Sequence, residues 1–167
     1  MPKSNLCVIG LAKMFTDDIC KQLSVRMDMF YANIQQILEY ELIDALKVES
    51  ICGKEYLLKE EISIIKRICG YENTLINIEF ANLNNETTLQ NIKNNCLVVY
   101  LKLPQERYAK EQSKEVQSFS IAQLNMDLYD ERDTICSNLS DVIIDCKDNG
   151  VDVIIEDLIE QIIWYYS

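Results

Sequence analysis

The chain of 167 residues contains no histidine, only four glycines and two prolines, and its 16 Lys and Arg face 27 Asp and Glu. Each shortage excludes something. Without histidine, neither a Ser-His-Asp nor a Cys-His relay can be built, and the side chain that titrates most easily near neutrality is gone. A formal net charge of -11 repels the phosphates of DNA and RNA and anionic headgroups alike, because binding them needs clustered cations to displace condensed counterions. Nucleic acid and membrane surfaces are therefore not expected as partners. No apolar run approaches the roughly 20 residues that span a bilayer. The opening MPKSNLCVIG lacks the apolar core of a signal peptide and its apolar stretch breaks at Lys13, so a cytoplasmic address is expected.

The seven cysteines are irregularly spaced and include no CxxC pair, which leaves no zinc-ribbon or redox motif. They read as reduced thiols buried as small hydrophobes. The acidic run Asp127, Asp130, Glu131, Asp133 lacks the glycine and spacing of a calcium loop and reads as a solvated face, so no metal site is expected.

What is present is a hydrophobic fraction of 49%, too apolar for disorder, in a length suited to one domain over 1–167. Strand-like and helix-like segments alternate throughout. Leu6 to Ile9 forms a short apolar run closed by Gly10, as a buried central strand would. Thr16, Asp17 and Asp18 read as the start of a helix carrying Ile19 and Leu23 inward. A short extended piece, Met29 to Tyr31, precedes Asn33, which reads as the cap of a helix with Ile34, Ile37, Leu38, Leu42, Ala45 and Leu46 on one face. Leu57 to Ile68 gives a third helix ended by Gly70, and Thr74 to Phe80 alternates as a strand. Leu97 to Leu103 is a continuous apolar strand closed by Pro104. The lid-like segment at about 105–133 reads as helix, mobile region, helix. Val142 to Ile144 is a last strand, and Val153 to Ile163 an amphipathic helix ending in Trp164, Tyr165 and Tyr166. This alternation implies a doubly wound α/β sandwich with a five-stranded parallel sheet between helical layers.

In such a fold, phosphate binds at the turn after the first strand. A working phosphate loop reads GxxxxGK[S/T], because glycines let successive N–H groups wrap the phosphates while the lysine neutralises them. Here the stretch is Gly10, Leu11, Ala12, Lys13, Met14, Phe15, Thr16, Asp17, and only the first glycine stands.

At this point the chain resembles the shikimate kinases, which have a P-loop kinase fold, and does so in register along nearly its whole length. The first strand with its Val8-Ile9-Gly10 turn, and Ile19 to Leu23, resemble that family's phosphate-loop strand and helix. Met29 to Tyr31 resembles the approach to its DxD element, Gly53 to Glu61 its GExxFRxxE segment, and Leu97 to Leu101 its VVYL strand. Glu106, Arg132, Ser140 and Asp141 match family positions farther on. The departures fall on the ligand-holding positions. In the family's register, glycines are replaced by Lys13 and Phe15, the phosphate-binding lysine by Thr16, and the Mg²⁺-holding hydroxyl by Asp17. The acidic positions fall on Ala32 and Ile34, and the carboxylate-gripping arginine on Leu57. A glycine-rich turn falls on Glu79 to Asn82, and no arginine lies in Lys110 to Leu128. Arg132 alone keeps a ligand-contacting residue type.

From this resemblance three readings follow. The leading one is a shikimate-kinase-like protein with a degenerate phosphate loop, catalytically inactive and without cofactor, that serves in binding, regulation or assembly through a protein partner or self-association. Phe15 would fill nucleotide space, and Asp17 and Asp18 would satisfy the helix N-terminus that phosphate otherwise takes. The second is an active ATP- and Mg²⁺-dependent kinase of shikimate or another small molecule, whose rebuilt site uses Gly10, Lys13 and Arg132. The third is an unrelated α/β interaction module. Arg132 reads more readily as a local ion pair with Asp130, Glu131 or Asp133, and Lys13 as a solvated loop lysine.

Overall fold

A computed structural model describes residues 3–42 and 44–167, with nothing described of the Ala45 side chain. Five strands, β1 (Asn5–Gly10), β2 (Phe30–Asn33), β3 (Thr74–Ile78), β4 (Cys96–Lys102) and β5 (Val142–Asp145), form one parallel sheet in the order β2-β3-β1-β4-β5. The central strands are apolar because helices cover both faces. Along β1, Leu6 and Val8 enter one core and Cys7 and Ile9 the other, the alternation that the pleat demands.

The first core is closed by α1 (Lys13–Arg26) through Phe15, Ile19 and Leu23, and by the C-terminal α9 (Val151–Tyr166) through Ile154, Ile155, Leu158 and Ile162. The second is closed by α2 (Ile34–Leu42) and α4 (Lys54–Cys69), through Ile34, Leu38, Ile64, Ile65 and Ile68, and by α5 (Glu86–Asn95), through Ile92. The helix expected from Ile34 to Leu46 is divided: α2 ends at Leu42 and α3 (Ala45–Cys52) starts anew, with Asp44 accepting from Lys47 N at 3.0 Å. Leu46 is exposed as a result. The inward placement expected for Ala45 lies outside the described residues.

Three further segments depart from the sequence reading. Strand β3 ends at Ile78, and Glu79 instead caps a 3₁₀ turn over Phe80–Asn84 with Asn82 bonding back to Glu79 N at 3.0 Å. Helix α5 escapes the apolar pattern because ETTLQNIKNN buries only Thr88 and Ile92; its signal is the cap Asn85, accepting from Thr88 N at 3.1 Å. Within 105–133 the two expected helices are α6 (Gln105–Glu115) and α8 (Tyr129–Leu139), and the stretch between them, expected to be a mobile region, carries a further helix, α7 (Phe119–Asp127).

Six cysteines are buried and free, as the spacing implied, while Cys52 is exposed. Burial pushes the Cys136 and Cys146 thiols up to about 12, which keeps them protonated and inert. Among the described residues no helix is long and apolar enough to cross a membrane.

The strand order reverses direction beside β1: the chain leaves β1 toward one edge and leaves β3 toward the other. The carboxyl ends of β1 and β3 therefore open a crevice, where ligands of doubly wound sheets bind.

Candidate functional site at the carboxyl edge of the sheet

Gly10 ends β1, and only Leu11 and Ala12 precede α1, which begins at Lys13. The helix thus starts three residues before the expected Thr16, and Phe15, Thr16 and Asp17 are helical residues. Among the described residues the left-handed backbone positions are Asp28, Gly53, Asn73 and Lys147, none of them in this turn. Phe15 faces inward into the first core, with the Arg107 guanidinium 4.8 Å from its ring centroid, so it does not stand in an open nucleotide groove. Gly10 has a packing role. A Cβ there would lie 1.9 Å from Thr16 Oγ1, a buried hydroxyl that donates to Ala12 O at 2.7 Å.

Helix α1 has no side-chain cap of its own and no acid in its first turn. Its orphan N–H groups find an anion elsewhere. Lys13 N lies 3.2 Å from Glu115 Oε2 and Met14 N 2.7 Å from Glu115 Oε1, so a carboxylate at the end of α6 accepts from both. Asp17 and Asp18, expected to perform this task, sit one turn farther along because the helix starts early. Lys13 is solvent-exposed, as expected, but it is the first residue of α1 rather than a loop residue, and its Nζ lies 2.8 Å from Glu79 Oε2.

Gly10, Lys13 and Arg132 do converge, on a cavity of about 470 Å³ whose lining includes Glu79, Phe80, Tyr108, Gln112, Glu115 and Asn125. Arg132 makes no ion pair among the described residues. Its guanidinium lies 5.3 Å from the Phe80 ring centroid and donates to Asn125 Oδ1 at 3.4 Å. The expected local pairing fails because Asp133 is engaged by Tyr100 OH at 2.7 Å and Lys102 Nζ at 3.1 Å. Tyr108 is fully buried and its hydroxyl has no hydrogen-bond partner among the described residues. Burial pushes this phenol up from its ordinary value while the neighbouring Arg132 charge opposes the rise.

Glu115, Glu79 and Tyr108 were missed by sequence reasoning. The available signal was Glu115 itself, an acid closing a helix whose C-terminal end repels it. No spacing rule names its partner 101 residues away.

Beside the cavity, Asp17 organises a second polar cluster. It accepts from Tyr31 OH, from Asn33 Nδ2 at 3.0 Å and from Lys21 Nζ at 2.5 Å, while Asn77 Nδ2 donates to Tyr31 OH at 3.1 Å. Ala32 and Ile34 are buried in the second core and Leu57 packs against it, so none of the three reaches this cluster. Asn33, between them, caps α2 by accepting from Gln36 N at 3.0 Å.

Burial pushes the Asp17 carboxyl up, but bonds from Lys21, Tyr31 and Asn33 outweigh it and hold the carboxyl below its ordinary 3.8. A depressed folded-state value means that Asp17 contributes stability above the unfolded value, lost as pH falls through the lower folded one. The gap in thermal midpoint between the native chain and Asp17→Asn is therefore expected to be full at pH 6 and to narrow below about pH 4. A gap independent of pH would show that the charge of Asp17 plays no part.

No family model and no curated protein matches this chain. Solved structures do. A shikimate kinase from Acinetobacter baumannii, in complex with shikimate, superposes with a TM-score of 0.84 at 12% identity, covering 98% of this chain and 95% of that one. The fold is that of the shikimate kinases. The shikimate kinase from Bacteroides thetaiotaomicron gives 0.79 at 10% identity over 95% of this chain and 97% of its own. That from Aquifex aeolicus gives 0.75 at 16% over 95% of each chain. The shikimate-kinase fold accounts for the sheet order and removes an unrelated architecture from the three readings.

Proposed function

We propose that this chain carries a degenerate phosphate loop on a shikimate-kinase fold, does not transfer phosphate, and acts in the cytoplasm by binding, regulating or assembling with a protein partner or itself. One observation carries the reading: the Glu115 carboxylate bonds to Lys13 N and Met14 N at the helix N-terminus where the fold would receive phosphate. An entering phosphate would meet that carboxylate, and Lys13, which lines the cavity, is already paired with Glu79. Ala32 and Ile34 supply no carboxylate for Mg²⁺. No ATP or Mg²⁺ requirement is part of this reading.

A second reading is favoured by the convergence of Lys13 and Arg132 on one cavity: a small-molecule kinase with a rebuilt phosphate site. Thermal unfolding with and without millimolar ATP and Mg²⁺, and with shikimate in a parallel arm, separates the two. An unchanged midpoint in every arm is expected. A rise of several degrees with nucleotide, abolished by Lys13→Ala, would establish the second reading.

A further inference from the structure

Strand β2 forms one edge of the sheet: it pairs with β3 on one side and, among the described residues, with no strand on the other. The Phe30 N–H donates to Asn73 O at 2.9 Å, toward β3. Backbone groups alternate sides along a strand, so Tyr31 turns its N–H and C=O outward, as a template for another strand. Natural edges are guarded by charge, and the opposite edge strand, β5, ends on the exposed Asp145. No such guard stands on β2. From Met29 to Leu38 the chain has no charged residue, although its net charge is -11. Phe30 is 74% exposed on this edge. It shares a face of the strand with Ala32, beside an apolar groove of about 610 Å³ walled by Ile37, Ile68 and Tyr71, with Glu72 as the one charge in its lining.

We propose that two copies of this chain pair through β2, antiparallel about a two-fold axis at Tyr31, with each Phe30 seated over the partner's groove. An axis there makes the two Tyr31 residues a hydrogen-bonded pair and sets each Phe30 opposite the partner's Ala32, a large side chain against a small one, on the face where the groove opens. The projection and the hollow thus lie on one surface, in the register that a closed symmetric dimer needs, which singles out a second copy rather than an unrelated strand. Charge agrees: two chains of net charge -11 repel each other and meet with least repulsion where charge is absent. The inference gives a surface to the self-association in the proposed function and rests on that part of it alone. A four-residue strand and one groove make a small interface beside the roughly 800 Å² per partner of stable complexes, so a dimer that forms at high micromolar concentration is expected.

Sedimentation equilibrium of the full chain from micromolar to millimolar concentration reads the assembly, and amide hydrogen exchange at Tyr31 reads the surface. The native chain is expected to pass from monomer to dimer, more readily at higher salt because screening weakens the repulsion, with exchange at Tyr31 slowed in the dimer. Phe30→Glu, which sets a carboxylate near the partner's Glu72, is expected to weaken the dimer at least about tenfold, while Phe30→Leu keeps it. Ile143→Lys, at an exposed position on the opposite edge strand, is expected to leave it unchanged. Because Phe30 is exposed, its variants are expected to keep the native fold, which far-ultraviolet dichroism checks. Should Phe30→Glu not fold, Phe30→Ser takes its place with the same readouts. A chain that stays monomeric at every concentration would overturn the surface and the self-association together, leaving a different protein as the partner. A dimer indifferent to Phe30→Glu, or one broken by Ile143→Lys, would sink the β2 surface alone. Phosphate transfer by the native chain would count against the degenerate phosphate loop and leave the dimer standing, so the two failures are distinguishable.

Discussion

Exchanging Phe15→Gly, Thr16→Lys and Asp17→Thr, which writes the phosphate-loop residues back into their register, is expected to unfold the protein rather than to create a kinase. Phe15 is a core residue of α1, and its loss costs about 3–5 kcal/mol, with about 1 kcal/mol more for glycine inside a helix. Thr16 is 2% exposed beneath Gly10, so a lysine there would bury an unpaired charge at a cost of several kcal/mol. The third change takes from Tyr31, Asn33 and Lys21 the carboxylate that they share. Together these losses match the whole stability of an ordinary domain, about 5–15 kcal/mol. Far-ultraviolet dichroism and urea unfolding of Phe15→Ala, then of the triple variant, would check it. A cooperative transition near the native midpoint in the triple variant would refute the account.

Gly10→Ala is expected to cost about 1–3 kcal/mol, the usual range for overpacking a close-packed interior. The new Cβ would stand 1.9 Å from Thr16 Oγ1 and 3.0 Å from Thr16 Cβ, and the β-branched Thr16 cannot swing clear without giving up its bond to Ala12 O. Thr16→Ala removes the nearest atom, so the double variant should lose less than the two single losses combined. Urea midpoints of the four proteins measure the coupling. Strict additivity would mean that the two residues do not meet. The same glycine that the phosphate-loop register picked out is thus explained here by contact with a hydroxyl.

The parallel sheet was legible because its central strands are buried on both faces and so appear as unbroken apolar runs. Leu97 to Leu103 and Leu6 to Ile9 stand within one residue of β4 and β1 at either end. Helix α4 was legible from its period and from Gly70 at its end. Helix α5 was not, since one face of a polar helix needs few apolar residues to dock. The start of α1 was misplaced for a different reason. Thr16 and Asp17 look like a local cap and first turn, but the true N-terminus is satisfied by a residue from another helix, which local pattern cannot contain.

By itself the sequence determined the alternation that makes a doubly wound sheet, the lack of a histidine-based mechanism, and the positions at which phosphate-loop residue types are replaced, because hydrophobic period and residue chemistry are local properties. Tertiary structure alone decided that Gly10, Lys13 and Arg132 share one cavity, that Arg132 has no carboxylate partner among the described residues, and that Glu115 closes α1. Those are contacts between elements far apart in the chain, and their geometry is set by how helices seat on the sheet rather than by any spacing along it.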